Sequence, residues 1–100
     1  MKPNPTPSPT RRTVERVQLG VRLEKRLVKV LKGLAECCDL SLADLLEGIA
    51  LHALENKPPF SRNTLKSIAH LRQVYGLDLR AADSHQLKDA SGAPTSPGKE

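Results

Sequence analysis

One hundred residues with a net charge of +5 and only 2% aromatic side chains make at most one small domain on a basic chain. Such a chain buries a poor fraction of its surface, and the usual staples are missing. Cys37 and Cys38 are adjacent, which strains any bond between them, and His52, His70 and His85 have no carboxylate or thiol at metal-ligand spacing.

The start, "MKPNPTPSPT", has no run of seven or more apolar residues and no small-residue cleavage site, and no later segment approaches a membrane span. The expectation is a soluble cytoplasmic protein, nucleoid-associated if it binds DNA. Residues 1–12 read as a disordered, Pro-rich basic arm, and the end, "SGAPTSPGKE", has the same character.

The stretch "RVQLGVRLEK", residues 16–25, alternates apolar and polar side chains in the manner of a half-buried strand. Residues 11–32 carry eight basic side chains (Arg11, Arg12, Arg16, Arg22, Lys25, Arg26, Lys29, Lys32) against Glu15 and Glu24, a block of +6. Residues 33–56 carry no Lys or Arg and five acids, a block of −5. The basic block is an electrostatic footprint suited to a polyanion; equally, such a block can be a solvated face.

Leu27, Leu31, Leu34 and Cys38 recur every three or four residues, with Lys25, Lys29 and Lys32 opposite, which predicts an amphipathic helix from about Glu24 to Cys38. Asp39 can take the left-handed conformation that ends it, with Leu40 folding back onto the last turn. A rival parse joins Val14, Val17, Val21, Val28, Leu31 and Ala35 in one long helix over 13–38. Gly20 in its middle and the valine cluster weigh against it. Ser41 then caps a second helix that carries Leu42, Leu45, Leu46, Ile49, Ala50, Ala53 and Leu54, a stripe too wide for one neighbour; Pro58 and Pro59 end it. With no staple and a helix covered on more than one side, a second copy of the chain is expected.

The order of basic arm, strand, helix, Ser-containing turn and helix resembles the ribbon-helix-helix family of Arc, MetJ and CopG. The resemblance lies over residues 15–56 and is carried by "RVQLGVRL", the Leu27, Leu31, Leu34, Ala35 spacing and "DLSLADLL". It implies a mostly α domain over 13–57 with one short strand, in an intertwined homodimer whose strands form an intermolecular antiparallel ribbon. Val17, Leu19, Val21 and Leu23 would face the dimer core together with Leu31, Leu45, Leu46 and Ile49. Gln18, Gly20 and Arg22 would face the bases in the major groove. Arg22 suits guanine and Gln18 adenine, whereas Gly20 reads nothing and leaves close approach, a bulge or loss of function open. Arg11, Arg12 and Arg16 would track the DNA backbone, and the amides of Ser41 and Leu42 would clamp a phosphate. The sequence departs from the family there, because Asp44 and Glu47 would repel that phosphate; a capping role suits Asp44 better.

Ser61, then Leu65, Ile68, Leu71 and Tyr75 on one face, then Gly76, predict a third helix from about 62 to 75 within residues 61–76; residues 77–100 read as a mostly flexible tail. That helix packs on the dimer core or, alternatively, residues 61–87 form a recognition segment for a second protein, as in antitoxins of the family. Cys37 and Cys38 suit packing or an interface better than redox or ligand chemistry, and His52 reads as a surface residue. No nucleophile, base and orienting acid form a motif, so no catalytic residues, metal or cofactor are expected. The expected function is that of a homodimeric, sequence-specific binder of double-stranded DNA, a transcriptional regulator such as a repressor, with an antitoxin or dimeric adaptor as the alternative.

Overall fold

The computed structural model describes residues 12–90; the Pro-rich start through Arg11 and the last ten residues, on which nearly all of the arm and the end of the tail were expected, lie outside the described residues. Among the described residues the chain forms α1 (Lys25–Cys38), α2 (Leu42–Leu54), α3 (Arg62–Tyr75) and a single 3-10 turn at Ala81–Asp83, with no strand. None of these helices is long and apolar enough to cross a membrane.

Each helix starts on a side-chain oxygen. Glu24 accepts from the Leu27 amide at 2.8 Å, Ser41 from Asp44 at 3.0 Å and Ser61 from Thr64 at 3.2 Å. Such caps satisfy amides that the first turn leaves without carbonyl partners. Each helix also ends in the same way, on a residue in the left-handed region: Asp39 (φ 62°), Asn56 (φ 59°) and Gly76 (φ 66°). The next amide then reaches back five residues, from Leu40 to the Ala35 carbonyl, Lys57 to His52 and Leu77 to Arg72, at 2.8–2.9 Å. This doubly bonded ending turns the chain sharply and delivers the following residue onto the helix it has just left. After α3 that residue is Leu77, which is buried.

The core lies where α1 meets α2 and α3. Leu34, Ala35 and Leu45 are buried together, and Leu31, Cys38, Ile49, Phe60, Ile68 and Leu71 pack against them. Leu34 is the most enclosed large side chain at 2% exposure, a burial worth about 1.5–3 kcal/mol. Gly33 sets how closely α3 approaches α1: a Cβ added there would lie 3.0 Å from the Leu71 Cδ2.

The ribbon-helix-helix fold is therefore corrected. Residues 12–24 hold no regular secondary structure, so there is no ribbon, and the long helix over 13–38 is likewise not formed, since α1 begins only at Lys25. The alternation of Val17, Leu19, Val21 and Leu23 assigns side chains to two faces, but a strand also needs a neighbouring strand to take its amides and carbonyls. The described residues of the chain supply none. Those four side chains, placed by the resemblance in a dimer core, are 47–83% exposed in the chain itself. Of the others expected there, Leu45 is buried, Leu31 and Ile49 are half-buried against the core, and Leu46 is exposed.

Candidate nucleic-acid interface

The basic block lies on two consecutive pieces of chain, the irregular segment 12–24 and the outer face of α1. Along α1, the apolar spacing turns Leu31, Leu34 and Ala35 inward and leaves Lys25, Lys29 and Lys32 exposed. Lys29 Nζ stands 5.9 Å from the centre of the Tyr75 ring, a cation–π contact across to the end of α3.

Arg16, Arg22 and Arg26 are held by carboxylates. Arg16 grips Glu47 with two parallel bonds, Nε to Oε2 at 2.8 Å and Nη2 to Oε1 at 2.9 Å, and stands 4.0 Å from Asp44. This is the planar fork-to-fork geometry that suits a guanidinium to carboxylates and phosphates alike. The hydrogen bond from Arg16 keeps the Glu47 carboxyl below its ordinary pKa, and the hydrogen bond to Glu47 raises that of Arg16. The two acids that weighed against a phosphate at the start of α2 are thus themselves bound to a cation. Arg22 Nη2 donates to Asp89 Oδ2 at 2.6 Å. Arg26 donates to Glu24 at 3.0 Å and to the Gly76 carbonyl at 2.8 Å, and pairs with Asp78 at 3.1 Å. Partial burial pushes the Glu24 carboxyl up, but the Leu27 amide and Arg26 outweigh it and leave its pKa lowered.

The expected base-facing residues Gln18, Gly20 and Arg22 are all exposed on segment 12–24. Nothing in the single chain requires glycine at position 20: its φ is not positive, and a Cβ there would meet no atom within 4 Å. Arg12 is exposed, and Arg11 lies outside the described residues. At the start of α2 the Ser41 hydroxyl is engaged by the Asp44 amide and Leu42 is half-buried, so the serine acts here as a helix cap.

The contacts of Arg16, Arg22 and Arg26 had no signal in the sequence. Apart from Glu24 beside Arg26, the partners bonded to them lie 31, 67 and 50 residues away, beyond any helical or strand period. The cysteines carry no pairing: both are free, Cys37 exposed and Cys38 half-buried against the core. His52 is exposed, with Nδ1 2.7 Å from the Gly48 carbonyl. Among the described residues no group of three or more His, Cys, Asp or Glu side chains is placed to hold a metal ion. A depression of about 200 Å³ opens between α2 and Phe60, with Cys38, Leu45, Ile49 and Pro59 among its lining residues. No family model, no curated protein and no solved structure matches the chain.

Proposed function

We propose that this chain is a homodimeric DNA-binding protein acting as a transcriptional regulator, which holds duplex DNA against residues 12–32. The observation that carries the reading is the exposure, on one continuous segment, of Arg12, Arg16, Arg22, Lys25, Lys29 and Lys32. Cations arrayed in this way release counterions from a phosphate backbone and supply affinity independent of sequence. Gln18 and Arg22 are the exposed side chains on that segment that this reading assigns to bidentate pairs with base edges.

Self-association is supported by what the single chain leaves uncovered. Val17, Leu19 and Val21, with Leu51 and Leu54 of α2, are each at least 65% exposed. Large apolar side chains left in water on residues 17–21 and on α2 support an interaction site, which a second copy of the chain would cover.

The test combines sedimentation with a salt series. Leu54→Glu changes a side chain that an isolated chain leaves in water, so it is expected to preserve helix content and yield monomer. With about three phosphate contacts from each copy, the slope of log K against log salt is expected near −5, a loss of about 10³-fold between 50 and 200 mM. A wild-type monomer at micromolar concentration, or binding insensitive to salt, would defeat the reading.

A further inference from the structure

We propose that residues 77–89 form a strap whose carboxylates, Asp78 and Asp89, compete with DNA for Arg26 and Arg22; the inference rests on the DNA-binding reading above. The strap is anchored at its start, where Leu77 is buried and the Leu79 carbonyl accepts from Arg72 Nη2 at 2.9 Å. It is turned by the 3-10 turn at Ala81–Asp83, which the Asp83 carboxylate closes by accepting from the Arg80 amide at 2.8 Å. This course sets Asp78 on Arg26 and, at the far end, Asp89 on Arg22.

The contact is built unevenly. The Asp89 side chain is 28% exposed and that of Arg22 68%, so the carboxylate is the more enclosed partner of the pair. The Asp89 carboxylate takes the Nη2 end of the Arg22 guanidinium, a donor that a bidentate pair with a phosphate, or with the O6 and N7 of guanine, would use. DNA must displace it to use Arg22.

Exposed ion pairs are individually weak, so the strap lowers affinity modestly rather than blocking it. Its consequence is selectivity. A non-cognate duplex offers Arg22 a phosphate in place of a carboxylate, an exchange of like for like. A cognate site adds a bidentate base contact that the strap does not match. Salt weakens the strap's own ion pairs together with the DNA contacts, so the competition is strongest when salt is low.

Full-length wild type, Asp89→Asn and Asp78→Asn/Asp89→Asn would be titrated against a scrambled duplex by fluorescence anisotropy, with Glu36→Gln and Glu36→Gln/Glu55→Gln as the equal changes of charge away from the strap for the single and the double variant. The double strap variant is expected to bind about three- to tenfold more tightly at 50 mM salt, with the gain gone by about 300 mM, and each control to change affinity less than about twofold. In an Arg22→Ala background Asp89→Asn should give no gain. If wild type binds and the strap variants gain no more than their controls, or if the Asp89→Asn gain persists without Arg22, the strap is overturned and the DNA-binding reading stands. If neither wild type nor the double strap variant binds at 50 mM, both fall.

Discussion

Gly33→Ala places a methyl group where α3 crosses α1, and two effects of similar size then oppose each other. Replacing an interior helix glycine by alanine ordinarily stabilises by about 1 kcal/mol. Here the new Cβ would stand 3.0 Å from Leu71 Cδ2, 3.6 Å from Cδ1 and 3.8 Å from Cγ. Carbon pairs prefer about 3.5–4.0 Å, and overpacking of this kind costs about 1–3 kcal/mol, at the low end where the neighbour can give way, as half-buried Leu71 can in part. The expected net for Gly33→Ala is therefore between neutral and about 1 kcal/mol destabilising. Leu71→Ala alone should cost about 2 kcal/mol, since it strips a side chain packed on the core. Once Leu71 is gone, the methyl at position 33 meets open space and Gly33→Ala should stabilise by about 1 kcal/mol. The four proteins form a double-mutant cycle with an expected coupling of about 1–2 kcal/mol, read by urea denaturation under circular dichroism at one fixed protein concentration. A Gly33→Ala that stabilises equally with and without Leu71 would refute the packing of α3 on α1.

Three further outcomes follow from the same geometry. Gly76→Ala puts a Cβ on a residue at φ 66°, and should destabilise by about 1–2 kcal/mol while leaving helix content unchanged until unfolding. Leu34→Ala removes the most enclosed side chain and should cost about 3 kcal/mol, enough to lower the urea midpoint markedly. Glu24 and Glu47 both have lowered carboxyl pKa values in the folded chain. The unfolded chain then takes up protons first on acidification, so their stabilisation is complete above the ordinary carboxyl value of about 4.3 and is lost as pH falls through the depressed values. Urea midpoints measured downward from pH 5 should fall less in Glu24→Gln/Glu47→Gln than in wild type.

Much of the helical framework was legible because its signals are local. Leu31, Leu34 and Cys38 share one face of α1, Ser41 and Ser61 cap the helices that follow them, and Asp39 and Gly76 stand at left-handed endings. The strand expected over residues 16–25 is not formed for a physical reason: alternation states which side chains share a face, but the backbone partner that makes a strand is a tertiary fact. Gly33 gave no sign of its role, because a close approach is visible only once Leu71 is seen opposite. Leu77 looked like the beginning of a tail, yet the bend at Gly76 turns it inward. Of the candidate site, the basic residues and their clustering could be read from the chain. Their carboxylate partners could not, since Arg22 and Asp89 are brought together only by the path of residues 77–89 around the end of α3.

The measurement that bears most directly on the account is fluorescence anisotropy of the full chain on duplex DNA taken from upstream of its own gene, beside a scrambled duplex of equal length, with Arg22→Ala in parallel. Proposed sequence reading through Arg22 predicts that the upstream duplex binds at least about tenfold more tightly at 150 mM salt, and that Arg22→Ala narrows the difference by about 1–3 kcal/mol of discrimination. Equal binding to the two duplexes, unchanged by Arg22→Ala and abolished by about 200 mM salt, would contradict it and leave a basic chain with only a general affinity for polyanions.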